Sequence, residues 1–362
     1  MRDQSRIVGR LGRVIVALTA VVGVLLGANP AMAAAPRVAR HHCSPHAVPV
    51  RTADPGPYEQ HIWGELCHRG AAAPETVQLL VHGASYNHLY WDSPVQNFRH
   101  SYVRAATLAG YATFNVDGLG TGNSSVPPSS VLTVAAEAVA LHDVVVALRS
   151  GSLGTPFGRV VWVGHSLGST DGITVAARYR DDIDALVVTG LLHGQSAEQG
   201  AALAAQVYPA TDDPKFAGSG LDPGYQTFRP GGRARLFYEP TTADPAILRM
   251  DEETKDVVAF GTKVPEVVAL LFPPRPEDGL THRVNVPVLL VLGQRDTVYC
   301  GAEWIDCDSP TAVRDYEAAY YGPGANLKTT VIPGTGHCLA LSTTAPFTHM
   351  AMLAWTRSVA RP

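Results

Sequence analysis

Val160-Val161-Trp162-Val163-Gly164-His165-Ser166-Leu167-Gly168 is the stretch on which the reading of this chain turns. Its four leading apolar residues, three of them β-branched, predict a short strand buried on both faces. From Leu167 to Tyr179 the pattern becomes helical. Between the two lies G-x-S-x-G, Gly164 to Gly168. Alone, a five-residue pattern says little, because such patterns recur by chance. A strand before it and a helix after it give it meaning. In that setting the serine sits on a tight, strained turn, the flanking glycines let strand and helix pack closely, and Ser166 Oγ is lifted into the open. The helix N-terminus adds partial positive charge beside it. The competing reading, Ser166 as a plain helix cap, is the weaker one in this context.

A serine hydroxyl needs a base, and the base needs an orienting carboxylate. On a strand-turn-helix scaffold the order along the chain is Ser, acid, His. Asp296 follows the apolar run 287–292 in Gly293-Gln294-Arg295-Asp296, and His337 follows the run 329–332 in Pro333-Gly334-Thr335-Gly336-His337. Both positions lie just past strand C-termini, where side chains converge on Ser166. The expected roles are Ser166 as nucleophile, His337 as proton acceptor and donor, and Asp296 as the group holding the imidazole tautomer. Asp306 and Asp308 are rival acids, but they lie within or beyond the Cys300–Cys307 loop. The oxyanion needs two backbone N–H donors. Leu167, after the nucleophile, supplies one, and Ala84, in the His82-Gly83-Ala84 loop after the run 77–81, is expected to supply the other.

Working outward, runs of four to six apolar, β-branched residues bounded by Gly or Pro recur at 77–81, 111–116, 160–163, 185–189, 287–292 and 329–332. Helical patterns span 131–148, 167–179, 311–321 and 347–359. Such alternation predicts an α/β domain, a mostly parallel sheet with helices on both faces. Residues 58–66 and the segment near Val48 are expected to add an antiparallel hairpin at one edge. One stretch breaks the rhythm: His193 to Asn285 separates two strands by about ninety residues, far beyond ordinary connections. An insertion of about 193–285 at the C-terminal edge of such a sheet reads as a lid over a site. Helical patches are expected at 197–206, 254–260 and 264–271. The apolar patch Val267–Phe272 is read as packing on the core rather than lining an acyl pocket. Tyr86, Tyr90 and Trp91 follow the oxyanion loop, where they either shape the pocket mouth or, for Trp91, anchor the next helix.

At these residues the chain resembles the α/β-hydrolase superfamily, in its secreted bacterial branch. The resemblance rests on His82-Gly83, Asp117-Gly118-Leu119-Gly120-Thr121-Gly122-Asn123-Ser124, Gly164-His165-Ser166-Leu167-Gly168, Asp296 and His337, and covers about residues 47–360. The 117–124 segment is similar to the family's loop after its fourth strand, D-x-x-G-x-G-x-S. What the resemblance implies is the eight-stranded α/β-hydrolase fold, the Ser-His-Asp arrangement and the oxyanion hole; it implies no substrate.

Composition sets the outer bounds. With 46% hydrophobic and 17% charged residues over 362 positions, disorder, collagen and coiled coil are excluded. Arg2, Arg6, Arg10 and Arg13, the apolar run of 13 residues from Val14 to Leu26, and Ala31-Met32-Ala33 have the layout of a secretory signal peptide. That run is short of the roughly 18–20 residues a membrane span needs. The expected domains are therefore a signal peptide over 1–33, cleaved near Ala33, and a hydrolase domain over 34–362, secreted and with no stable membrane anchor. Removing 1–33 takes four Arg and Asp3 from the 28 basic and 32 acidic residues, leaving 24 and 31, a net charge near −7. That balance argues against nucleic acid and other anionic polymers as partners. In an exported chain thiols tend to pair. The expected bridges are Cys43–Cys67 and Cys300–Cys307, with Cys338 a small buried residue. The tract His41-His42-Cys43…His46 matches no closed zinc pattern and lies near the mature N-terminus, where order is poor, so no metal is expected. Position 123 is Asn, so Gly118-x-Gly120-x-Gly122 is no dinucleotide fingerprint, and no P-loop occurs; no cofactor is expected.

The leading function is hydrolysis of a small-molecule carboxylic ester, lactone or lipid-like substrate through an acyl-enzyme on Ser166. The alternatives are an amidase, peptidase or acyltransferase with the same residues, and a lyase or cofactor-free enzyme using His337 as base.

Overall fold

The computed structural model describes residues 41–301 and 304–362. The sheet at its centre is built from β1 (His41–Val50), β2 (Gln60–Arg69), β3 (Thr76–Val81), β4 (Ala112–Val116), β5 (Arg159–His165), β6 (Ala185–Thr189), β9 (Val288–Gly293) and β10 (Lys328–Ile332). The short β7 (Val207–Pro209) and β8 (Gln226–Phe228) pair separately. The spatial order of the large sheet is β1-β2-β4-β3-β5-β6-β9-β10. From β4 to β10 every neighbour is parallel, while β1–β2 and β2–β4 run antiparallel. The α/β architecture expected from the alternating runs is therefore present, with the hairpin at one edge.

Alternation along each strand sends side chains to opposite faces. Trp162 on β5 meets the helix Leu167–Arg178, its Nε1–H donating to Gly168 O at 3.0 Å. Gln78 on β3 lies in register with Val161, the residue before Trp162, and accepts the Tyr102 hydroxyl of the helix Tyr102–Leu108 at 2.7 Å on the other face. Helices cover both faces, so β3, β4 and β6 are buried at every residue. That explains why these strands read as continuous apolar runs rather than alternating ones.

The first strand corrects an expectation. The tract His41 to His46, read as poorly ordered, belongs to β1, which pairs with β2 over its whole length and continues the hairpin expected near Val48. Cys43 lies directly opposite Cys67 and is bridged to it, with Cα atoms 4.1 Å apart. Cross-strand pairing and a covalent bridge order a segment whose polar, His-rich composition suggested otherwise. The expected signal peptide falls outside the described residues.

Residues 193–285 pack as short elements, among them the helices Ala197–Ala205, Pro245–Thr254 and Phe260–Leu271. The helical patch expected at 254–260 is not one. Residues 255–259 run between two helices, where Val258 bridges to Gln226, Lys255 pairs with Asp213 at 2.6 Å, and Asp256 accepts from Gly122 N–H at 2.9 Å. Tertiary partners override local propensity there. The helix Pro245–Thr254, unforeseen in the sequence, starts on an Asp244 cap that accepts from Ala246 N–H at 2.8 Å, with Pro in its first turn.

Candidate active site

β5 runs straight into the turn at Ser166. Ser166 has φ 51° and ψ −113°, a conformation L-residues adopt only under strain, at a cost of about 1–3 kcal/mol. The motif glycines are required by close approach. A Cβ on Gly164 would stand 2.4 Å from Gly168 O, and one on Gly168 would stand 2.5 Å from the carbonyls of Val81 and His82. Ser166 N–H donates to Thr189 O on β6 at 2.8 Å, which pins the turn to the sheet. Ser166 and Leu167 stay partly exposed between buried neighbours, and Ser166 opens into a pocket.

Asp296 and His337 arrive from the ends of β9 and β10. The His337 Nδ1–H donates to Asp296 Oδ2 at 2.8 Å, and both side chains are buried. Asp296 Oδ1 accepts Val298 N–H at 2.9 Å, which fixes the carboxylate plane. The two loops are tied to each other by Arg295 N–H on Thr335 O and by Gly334 N–H on Gln294 Oε1, each at 2.8 Å. The rival acids lie elsewhere: Asp306 and Asp308 are exposed, and Asp308 accepts from Gln294 Nε2. His337 lines the same pocket as Ser166.

Ala84 and Leu167 also line that pocket beside Ser166. The turn carrying Ala84 is held by His82, whose Nδ1–H donates to Gly83 O at 2.8 Å while Nε2 accepts Gly118 N–H at 3.0 Å. Burial lowers the His82 pKa, which keeps the ring neutral and able to do both. This role was invisible in the sequence beyond the pair His82-Gly83. His165 is likewise pushed well below the usual histidine range by burial and then by its neighbours His337 and His82. It stacks on Tyr90 at 4.2 Å and lies 4.8 Å from His337, ring centre to ring centre. A neutral ring there spares His337 a second cation at its side.

The pocket has a volume of about 620 Å³. The expectation that Val267–Phe272 pack on the core is half right. Leu270 and Leu271 are buried, but Val267, Val268, Leu271 and Phe272 all line the pocket. Helix-period stripes look alike whether they face a core or a cavity, so sequence could not separate the two. Of the aromatic group after the His82-Gly83-Ala84 loop, Tyr86 lines the pocket, while Trp91 is buried and its carbonyl accepts Tyr102 N–H at 2.8 Å, anchoring the next helix.

Behind Leu167 lies a buried charge cluster with no periodic or motif signal. Lys263 Nζ pairs with Glu137 at 3.2 Å, and Glu137 Oε1 accepts Leu119 N–H at 3.0 Å. Asp171, one turn beyond Leu167 on the same helix, is pushed up to about 8 by burial, against the opposing pull of Lys263.

Cys300 and Cys307 are bridged, and Cys338 is free and buried with Sγ 2.8 Å from the Tyr86 hydroxyl. Among the described residues, His41, Cys43 and Cys67 bring possible metal-ligand atoms within 4.8 Å, but both sulfurs are consumed in the disulfide and offer no thiolate. No helix of the described residues is long and apolar enough to cross a membrane.

No functionally curated protein matches the chain. Solved structures do. An esterase from Thermogutta terrifontis is 18% identical with a TM-score of 0.57, covering 87% of this chain and 99% of its own. A Paleococcus ferrophilus monoacylglycerol lipase is 17% identical with a TM-score of 0.52, over 80% of this chain and 97% of its own. A Bacillus anthracis bromoperoxidase is 18% identical with a TM-score of 0.55, over 87% and 100%. At such identities the likeness is one of fold, and their different activities underline that fold does not set chemistry. The sequence profile of the alpha/beta hydrolase family matches residues 78–348, three quarters of the chain and the whole span from β3 to the final helix, and the protein belongs to that family.

Proposed function

We propose that the protein is a serine hydrolase that cleaves carboxylic esters, with lactones among them. The observation that carries this is the buried His337–Asp296 hydrogen bond of 2.8 Å, set beside a strained serine turn in one pocket. Ser166 Oγ attacks the ester carbonyl as His337 Nε2 takes its proton. Asp296 holds Nδ1 protonated and stabilises the imidazolium that forms. The oxyanion accepts hydrogen bonds from the N–H groups of Ala84 and Leu167. His337 then protonates the departing alkoxide, and water, deprotonated by the same imidazole, releases the acid from the acyl-Ser166 ester. The segment 193–285 serves as a lid, since Gln195, Leu203, Phe260 and Val268 within it wall the pocket. Export fits the signal-like N-terminus together with two disulfides.

A fluorophosphonate probe tests the reading. Labelling of Ser166, its loss in Ser166→Ala, and turnover of p-nitrophenyl acetate are expected. An intact protein that neither labels nor hydrolyses any ester of a short-chain panel overturns it. The mass of the protein recovered from culture medium tests export: a chain beginning near Ala34 is expected.

A further inference from the structure

We infer that the groove above Ser166 is built to take one uncharged aliphatic chain of the substrate, an inference that rests on the hydrolase reading of the same site. The helix Phe260–Leu271 turns Phe260, Val264 and Val268 to the pocket at four-residue spacing, with Phe272 just beyond, and the helix Ala197–Ala205 turns Leu203 and Ala204 to it. Apolar stripes on neighbouring helices ordinarily close on a core. Here they stay apart. No residue of the helix Ala197–Ala205 is buried, and Val264, Val268 and Phe272 are 43%, 48% and 45% exposed. The space they leave ends inward at Ser166 and His337.

The two helices are held apart because each is fastened to a different part of the core. Thr262 Oγ1 donates to Leu132 O at 2.6 Å, Glu266 Oε2 accepts Ala135 N–H at 2.7 Å, and Lys263 pairs with Glu137, all on the side of the helix Val134–Ser150. Across the groove, Gln195 Nε2 donates to Val298 O at 3.0 Å and Gln199 Nε2 to Cys300 O at 2.9 Å, in the loop that follows Asp296. The gap is thus set by fixed anchors and is not left for the helices to close.

Charge decides what fills it. Among the described residues lining the groove there is no carboxylate, and Lys263, its one ammonium, is neutralised by Glu137. An ionised chain end would lose its water there without gaining a counter-charge. An aliphatic chain would instead cover exposed Val, Leu and Phe surface. Each methylene so buried raises kcat/KM about fourfold until the groove is full.

Two ester series test this on the full-length protein. One lengthens the acyl group from p-nitrophenyl acetate to decanoate; the other lengthens the alcohol of alkyl acetates from methyl to decyl. A stepwise rise of about fourfold per methylene in one series supports the inference and says on which side of the ester the chain lies. A hexanoate ester carrying a terminal carboxylate is expected to react at least about tenfold more slowly than hexanoate itself. In Gly261→Leu a new Cβ meets nothing within 4 Å, and the helix gains propensity, so folding is preserved while the groove is narrowed. The ratio of kcat/KM for long over short chains is expected to fall about tenfold in that variant and in Val268→Glu. Two flat series from a protein whose Ser166 still reacts with fluorophosphonate overturn the groove inference alone. Absence of that labelling overturns the hydrolase reading beneath it.

Discussion

The Asp296 carboxylate receives the Nδ1–H of His337 at 2.8 Å in a setting sealed from solvent, although 41 residues separate them in the chain. The contact exists because β9 and β10 are parallel neighbours, with Ile332 in register with Gly293, so the loops leaving their C-terminal ends rise side by side. Asp296→Asn keeps the shape but reverses the hydrogen-bonding demand on Nδ1. A fall in kcat of about 10³–10⁴ with little change in KM is expected in steady-state ester hydrolysis.

Ser166 stores backbone strain at φ 51°, where glycine is at ease. Ser166→Gly and Ser166→Ala are both expected to be inactive, yet the glycine variant should be the more stable by about 1–3 kcal/mol. Chemical denaturation of the pair measures this directly, and equal stabilities would show that the turn is unstrained.

Asp171 sets a stability effect that depends on pH. Its folded pKa, raised to about 8, lies above the roughly 3.9 of an unfolded aspartate, so the folded state binds the extra proton between those values. Its contribution is fully present below pH 4 and is lost as pH rises toward 8. Asp171→Asn, which cannot ionise, should therefore gain on the native protein with rising pH. Melting temperatures taken at pH 5 and pH 8 are expected to show a difference in favour of the variant that is larger at pH 8.

The two disulfides should differ in what they protect. Cys300–Cys307 closes a loop that begins beside Asp296, and Gln199 Nε2 rests on the Cys300 carbonyl. Replacing both with Ser is expected to cost about 2 kcal/mol and also to lower kcat/KM. Cys43–Cys67 joins two strands at the far edge of the sheet. Its removal is expected to lower the melting temperature while kcat/KM stays within about twofold of the native value. Equal kinetic effects from both pairs would contradict the assignment.

Much of this was legible in the linear chain, for definable reasons. The strand-turn-helix at Val160–Arg178 is local, since apolar period, glycine spacing and helix start all lie within twenty residues. The loops bearing Asp296 and His337 could be picked out because parallel strands end in the same plane, which makes position after a strand informative. The helix Pro245–Thr254 and the break at 255–259 were not legible, because Lys255 and Asp256 answer to Asp213, Asn87 and Gly122, far away in sequence.

The sequence by itself determined the mostly parallel α/β layering and the serine turn, and it singled out the loops that carry Asp296 and His337 and the partners of four cysteines, through local pattern and chain order. Only the tertiary structure decided that the stripe Val264–Phe272 faces a cavity, that His82 braces the Ala84 turn, and that Lys263, Glu137 and Asp171 meet behind Leu167. The physical reason is the same in each case. Periodicity records which face of a helix is apolar, and composition records which residues are charged. What stands opposite that face or that charge depends on contacts between segments far apart in the chain, and those exist only once the sheet has brought them together.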